Sequence, residues 1–511
     1  MKKGKVYLVG AGPGDPGLLT LKGKRVLEQA EVVVYDRLVG PCILALAPPQ
    51  AERIYAGKAS ADHTLSQDKI NELLVEKCSE GKNVVRLKGG DPFLFGRGGE
   101  EALHLAQHGC AFEIVPGVTS AIAASAYAGI PVTHRDIATS VAFITGHEKP
   151  GKAESSIRWH ELATGIDTLV FLMGIENLPA ITQNLIAAGR AADTPAALVR
   201  CGTLPEQEVL TATLGTIVQK SLEHGMKPPA VLIVGDVVKL HEKLAWVEKL
   251  PLWGRRIVVT RPSEQSADFI AKLQALGAAV LELPAIEIKP AADQSALYRA
   301  FENLAAYAWL IFTSRNGVDI FFDELFAQGL DARSLHGLSL CAIGPATAER
   351  LRSKGLIPDV VPEDFRAEGL LDALREKIQA GQKVLLPRAA GSREVLPDGL
   401  RQLGAQVDEI NIYESVQPES ADAETLQAIL SSPVDLITFT SSSTVANFVG
   451  LVGKDTAAQL AARIPAACIG PITAATAREN GFTVAVEAEA FTMDGLLEAI
   501  RKNLMRAALI L

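Results

Sequence analysis

The second half of this 511-residue sequence is written twice. Val258-Val259-Thr260-Arg261-Pro262 returns as Leu385-Leu386-Pro387-Arg388-Ala389, and Ile311-Phe312-Thr313-Ser314 returns as Thr438-Phe439-Thr440-Ser441. Ala342-Ile343-Gly344-Pro345 recurs as Cys468-Ile469-Gly470-Pro471, and Gly369-Leu370-Leu371 as Gly495-Leu496-Leu497. Between paired landmarks the offsets are 127, 127, 126 and 126 residues. Four landmarks at one period mean duplication. Each copy alternates short apolar runs with helical patterns, such as those expected over 266–276 and 346–354. That predicts an α/β fold here, with two similar parallel-sheet lobes and strand-end loops facing a shared cleft. Thr313-Ser314-Arg315-Asn316 and Thr440-Ser441-Ser442-Ser443 would open helices with hydroxyls. These suit carboxylates or serve as plain N-caps.

The first half has no such period but shows a repeated local device, a buried strand ending in a glycine turn. Lys5-Val6-Tyr7-Leu8-Val9 runs into Gly10-Ala11-Gly12-Pro13-Gly14-Asp15. A dinucleotide fingerprint fails there, because its third glycine falls on Asp15 and Pro13 removes a backbone donor. Val32-Val33-Val34-Tyr35 ends at Asp36, either a catalytic carboxylate at a strand's carboxyl edge or a turn cap. Gly57-Lys58 follows a third strand. Arg86-Leu87-Lys88-Gly89-Gly90-Asp91-Pro92 then leads to a helix that opens with Glu100-Glu101, acids where the helix dipole favours them. Gly89 and Gly90 lack a Cβ, so a ligand can lie on their backbone; an ordinary strand-to-helix bend explains them equally well. Val115-Pro116-Gly117-Val118-Thr119-Ser120 repeats the device, and Gly129 to Arg135 and Ile144 to His147 close the series. Five such strand ends exceed what turn chemistry requires.

Composition narrows the function classes. The formal net charge of −9 argues against a broad nucleic-acid footprint. It does not exclude an anionic small substrate, because screening over about 8 Å leaves local arginines and lysines in control. Pro116, Gly117, Gly129 and Pro131 interrupt the longest uncharged run, 114–133, which is thus no membrane span. Met1-Lys2-Lys3-Gly4 leads straight into a strand, not a secretory signal. The six cysteines are scattered without a Cys-x-x-Cys or Cys/His cluster, so reduced cytoplasmic thiols and no metal site are expected.

Gly10 to Asp15, Tyr35-Asp36-Arg37-Leu38-Val39, Arg86 to Glu101 and Pro116 to Ala121 together resemble the uroporphyrinogen-III C-methyltransferases among the tetrapyrrole methylases. The resemblance covers about residues 4 to 240. It implies a two-lobed methylase over 1–240 (lobes 1–115 and 116–240), S-adenosyl-L-methionine as donor, and a homodimer formed through this half. It places the proton acceptor and donor on Asp36 and Lys58. Donor binding falls on Pro13, Gly89, Gly90, Asp91, Leu94, Thr119, Ser120, Met173, Gly202 and Ala230. Arg86, Lys88, Arg97 and Arg135 are candidates to clamp the acidic arms of the tetrapyrrole substrate, arginine bidentately; internal pairing of Arg86 and Lys88 with nearby acids is the alternative. The family's pattern is loose over 151–160, and no dehydrogenase or ferrochelatase segment is expected ahead of the first strand.

After a linker at 241–254, residues 255–511 resemble uroporphyrinogen-III synthase. The likeness rests on Arg261-Pro262, Phe312-Thr313-Ser314, the two Ile-Gly-Pro turns and Ile412-Tyr413-Glu414. It implies cofactor-free cyclisation of hydroxymethylbilane with inversion of the last ring. One lobe would join 255–289 to 415–511 and the other would span 290–414. Tyr413 falls on the hydroxyl that assists the leaving group; Ser314, Ser441, Thr347 and Thr473 are substrate-binding candidates. The two resemblances are metabolically consecutive, and together they imply a cytoplasmic enzyme yielding precorrin-2, the precursor of sirohaem and cobalamin. The alternative is a methylase for a later precorrin with a tetrapyrrole-binding second half.

Overall fold

A computed structural model describes residues 4–57, 65–146, 156–418 and 420–508. The chain divides into two compact units, Met1–Arg255 with Leu273–Ala279, and Arg256–Lys272 with Val280–Leu511.

The first unit contains two five-stranded sheets. The first comprises β1 (Lys5–Gly10), β2 (Val32–Tyr35), β3 (Glu52–Tyr55), β4 (Asn83–Lys88) and β5 (Ala111–Val115). Its order is β3-β2-β4-β1-β5 and every pairing is parallel. All five strands therefore end on one edge, and that edge carries Pro13, Asp36, Gly89 to Leu94, Thr119 and Ser120. The second sheet comprises β6 (Val141–Thr145), β7 (Thr168–Leu172), β8 (Pro195–Arg200), β9 (Glu208–Thr213) and β10 (Ala230–Val234), in the order β6-β7-β10-β8-β9. Only β6 and β7 run parallel; β10 runs against both β7 and β8. Ala230 thus lies opposite Arg200, on the edge where β7 and β8 hand over to Met173 and Gly202.

The second unit is built on β11 (Arg256–Val259), β12 (Ala279–Glu282), β13 (Glu287–Pro290), β14 (Trp309–Phe312) and β15 (Ser339–Ala342). It continues with β16 (Lys383–Ala389), β17 (Gln406–Val416), β18 (Leu436–Phe439), β19 (Ala466–Cys468) and β20 (Val484–Glu487). One sheet has the order β12-β11-β18-β19-β20, the other β13-β17-β16-β14-β15. The chain starts the first of these, leaves to build all of the second, and returns at β18. β13 pairs antiparallel with β17, so residues 287–289, expected with the first lobe, contribute an edge strand to the second sheet instead.

The duplication extends into the two cores. Phe312 meets Phe321 edge-on at 5.3 Å, and Phe439 meets Phe448 edge-on at 5.7 Å; all four rings are fully buried. Such a pair contributes about 0.5–1.5 kcal/mol beyond the area it buries. The repeated glycines are explained as well. A Cβ on Gly369 would stand 2.3 Å from the Asp364 carbonyl oxygen, and one on Gly495 would stand 2.1 Å from that of Ala490. A Cβ on Gly344 or Gly470 would press on Phe365 or Phe491 at 3.3 and 2.9 Å.

Candidate active sites

Around β1, β4 and β5, backbone approaches backbone too closely for side chains. A Cβ on Gly117 would lie 2.3 Å from the Gly90 carbonyl oxygen, and one on Gly10 would lie 2.5 Å from the Gly117 Cα. Gly90 sits at φ 69° and exchanges both backbone hydrogen bonds with Gly12, at 2.7 and 3.2 Å. The amide of Gly89 reaches Asp36 Oδ2 at 3.4 Å. The polar groups of Gly90 are thus satisfied internally, and a ligand laid there would meet surface shape more than hydrogen bonds. Any Cβ on Gly90 would find only the Thr119 Cα, at 3.9 Å. The space above this glycine is open.

Asp91 holds the ledge together. Its Oδ1 accepts from the amides of Phe93 (2.8 Å) and Leu94 (3.1 Å), and its Oδ2 from that of Gly117 (2.9 Å). Leu94 packs against the core of the second sheet, while Thr119 caps the helix Ser120–Tyr127. Across from them, Met173 is half exposed at φ 56°, and Cys201 and Thr203 adopt φ 47° and 75°. With Phe95 and Arg97, these are all the non-glycine residues of positive φ among the described residues. Every one follows β4, β7 or β8, the strands that end at the candidate site. Backbone strain of this kind collects where a binding geometry is held in place. Gly202 needs its missing side chain, since a Cβ would meet that of Ala124 at 2.4 Å.

Asp36 is anchored as an acceptor from the Leu38 amide (3.0 Å) and lies 4.0 Å from Arg86 Nη2. Lys58 lies outside the described residues. Arg86 and Lys88 are buried, and both turn to Glu101, which is wholly buried: Arg86 Nε at 3.2 Å and Lys88 Nζ at 2.8 Å from the same Oε1. Gln67 donates to that oxygen at 3.1 Å. Burial, then the neighbouring guanidinium, push the Lys88 ammonium below its ordinary range. Internal pairing is therefore what the geometry carries for these two, and they do not offer their charge to a substrate as clamps. Arg97 is exposed and paired with Glu100 at 2.7 Å, and Arg135 is exposed.

In the second unit the structure brings Tyr413 and Ser314 together. Their hydroxyl oxygens are 2.8 Å apart, with Ser314 Oγ also accepting from the Gly317 amide at 2.9 Å. Burial pushes the Tyr413 hydroxyl up. Ser441 caps its helix in the same way, accepting from the Thr444 amide at 3.1 Å, so capping accounts for part of both hydroxyls. Thr347 and Thr473 are buried at the first turns of the helices Pro345–Ser353 and Pro471–Glu479. The repeated arginines have diverged. Arg388 is buried and pairs with Glu409 at 3.1 Å, whereas Arg261 lies 3.1 Å from the Met493 sulfur.

Sequence reasoning missed Glu101 as the partner of Arg86 and Lys88, and missed the contact of Tyr127 with Asp15. Glu101 left a signal. The buried residues of its helix are Gly98, Glu101, Ala102 and Leu105, so a carboxylate stands on the apolar stripe.

The profile of the Tetrapyrrole (Corrin/Porphyrin) Methylases matches residues 5–218, and that of Uroporphyrinogen-III synthase HemD matches residues 267–498. A "Porphyrin biosynthesis protein HemD" of Ruminiclostridium josui is 44% identical over 500 residues, 98% of each chain. A "Uroporphyrinogen-III C-methyltransferase" of Bacillus subtilis is 43% identical over 364 residues, 71% of this chain and 74% of that one. Among solved structures, the Thermus thermophilus uroporphyrin-III C-methyl transferase complexed with S-adenyl homocysteine is 42% identical, with a TM-score of 0.41, covering 46% of this chain and all of the other. With both profiles matched in order and a relative similar from end to end, the chain belongs to the family of porphyrin-biosynthesis proteins that join a tetrapyrrole methylase to a uroporphyrinogen-III synthase.

Proposed function

We propose that the second unit cyclises hydroxymethylbilane to uroporphyrinogen III and that the first methylates this product twice, with S-adenosylmethionine as donor, to give precorrin-2. The observation that carries the reading is the presence of both families in one chain, in one order, in a relative matched over 98% of its length.

The residues of the first unit fit the donor. Gly90 gives an open ledge beside Thr119, Gly89 lies next to it against the Leu38 side chain, and Met173 is half exposed on the edge of the second sheet that carries Gly202 and Ala230. Pro13, Asp91, Leu94 and Ser120 complete the set assigned to it. S-adenosylmethionine supplies a methyl group on a sulfonium with its leaving group built in. The protein's own task is alignment of a pyrrole carbon, to about 3–3.5 Å from that methyl, and removal of the proton the ring must then lose. Asp36, held by the Leu38 amide, takes that proton. Lys58 is the second acid–base group. Arg97 and Arg135 receive the substrate's carboxylates, Arg97 by exchanging Glu100 for them.

In the second unit Tyr413, hydrogen-bonded to Ser314, assists departure of the bilane hydroxyl, while Ser441, Thr347 and Thr473 bind the acidic arms. Exclusion of water from the reactive intermediate is the remainder of the catalysis. The methylase reading covers residues 1–240 and the synthase reading 255–511, and the stretch 241–254 between them belongs to the first compact unit. A homodimer formed through the first unit is the association that goes with this reading. No described helix is long and apolar enough to cross a membrane, and six scattered cysteines without a Cys-x-x-Cys fit a reducing cytoplasm.

The test is methylation of uroporphyrinogen III by the wild type and by Asp36→Ala. Donor binding should persist in the variant while turnover falls by about 100-fold or more. Unchanged methylation would remove Asp36 from the mechanism.

A further inference from the structure

The helix Ser120–Tyr127 touches several parts of the proposed donor site. Its cap is Thr119, its middle residue Ala124 faces Gly202, and its last residue is Tyr127. The Tyr127 hydroxyl donates to Asp15 Oδ2 at 2.5 Å, across 112 residues of sequence. Asp15 Oδ1 accepts from the Gly17 amide at 2.7 Å, and the Asp15 amide donates to Thr203 Oγ1 at 3.2 Å. The Thr203 amide in turn donates to Gln207 Oε1 at 3.0 Å. The loops after β1 and β8 are thus joined directly through Asp15, and the Tyr127 phenol ties that junction to the helix that follows β5.

The far end of the helix is braced from outside. Trp246 stands edge-on to the Tyr127 ring at 5.1 Å and donates from Nε1 to the Ala126 carbonyl at 3.1 Å. His241 Nδ1 lies 2.6 Å from the Ala128 carbonyl oxygen, and a Cβ on Gly129 would collide with the Leu244 backbone at 2.4 Å. The tyrosine is therefore fixed on its helix, and one of the two loops that meet at Asp15 is among the strained ones. Thr203 sits in the left-handed region at φ 75°, beside Cys201 at 47°. A side chain leaves that region readily when its partners are removed.

We propose that Tyr127 is a positioning residue of the methyl-donor site: through Asp15 it holds the loop carrying Pro13 and the strained loop carrying Gly202 in the conformation that accepts the donor. It touches neither donor nor substrate. Its effect is on the fraction of molecules already shaped for binding, and apparent affinity falls in proportion to that fraction. The inference rests on the reading of the first unit as a methylase.

The experiment compares full-length wild type, Tyr127→Phe and Asp15→Asn. Calorimetry with S-adenosylhomocysteine gives the Kd, thermal unfolding without ligand the stability, and steady-state kinetics the donor KM and kcat. Tyr127→Phe should raise Kd and KM together by about tenfold and leave kcat at saturating donor within about twofold, corresponding to a competent fraction near one tenth. Asp15→Asn keeps an acceptor for the phenol and should give a smaller rise in both. Unchanged Kd in Tyr127→Phe, whatever its unfolding temperature, would reduce the latch to packing and overturn the proposal alone. Failure of the wild type to bind S-adenosylhomocysteine would overturn the methylase reading and the latch with it.

Discussion

The Lys88 ammonium lies 2.8 Å from Glu101 Oε1, with both side chains buried. Arg86 shares the same oxygen at 3.2 Å and has Asp36 as a second carboxylate at 4.0 Å, so Glu101 is the acid common to two cations in the interior of the first unit. Removing the shared acid of a buried set leaves Lys88 without its carboxylate and Arg86 with only Asp36, at a cost of about 3–5 kcal/mol. Glu101→Ala should lose that much in denaturant unfolding of the first unit, more than Arg97→Ala, whose pair with Glu100 is exposed. Equal losses would contradict the role given to Glu101.

Two glycines of the ledge should fail differently. Gly117→Ala drives a methyl group into the Gly90 carbonyl at 2.3 Å and should unfold or strongly destabilise the first unit. Gly90→Ala meets nothing closer than 3.9 Å but must hold φ 69°, a strain of about 1–2 kcal/mol. Its methyl projects into the open space assigned to the donor. The expectation is a folded protein with weakened S-adenosylhomocysteine binding, measured by calorimetry beside unfolding temperature. Full affinity in Gly90→Ala would place the donor elsewhere.

Acid stability offers a test of local electrostatics. Lys22 and Lys5 both bond to Glu113 on β5, and together they hold its carboxyl down to about 2. Its folded value lies below its unfolded one, so its contribution is present above about pH 4.5 and is lost as the pH falls towards 2. Glu113 is near the surface, which keeps the contribution small. In Glu113→Gln, stability between pH 5 and pH 3, about where this group acts, should fall less steeply than in the wild type. Identical slopes in urea titrations across that range would contradict it.

The hydroxyl pair of the second unit separates structure from chemistry. Ser314→Ala removes a helix cap worth about 1 kcal/mol and takes the partner from the Tyr413 hydroxyl. Tyr413→Phe leaves the cap in place. Cyclisation by Tyr413→Phe should slow by about 100-fold with little change in unfolding, whereas Ser314→Ala should lose stability and some rate together. Equal rates in Tyr413→Phe and wild type would free this tyrosine of any role in leaving-group departure.

Strand ends and the duplication were legible in the sequence because they rest on local chemistry. Val32–Tyr35 is a strand with the bounds its apolar run predicts, and the strand over Lys5 to Val9 gains only Gly10. The landmarks at offsets of 126 and 127 mark equivalent places in two sheets, down to the aromatic pairs beneath them. What stayed hidden was long-range or conformational. Tyr127 and Asp15 are 112 residues apart, and no residue type announces that Met173, Cys201 and Thr203 take left-handed backbone. Arg86 and Lys88 show the middle case. Their strand buries every residue from Val84 to Lys88, so two cations in that run required an internal acid, and the apolar stripe of the next helix supplies one.

The most direct test gives the purified full-length chain hydroxymethylbilane and S-adenosylmethionine together and follows the tetrapyrrole by absorbance and mass. The account predicts a ring-inverted cyclic product carrying two added methyl groups, formed without any other enzyme. A cyclic product without added methyls, or bilane left to close without inversion, would contradict it.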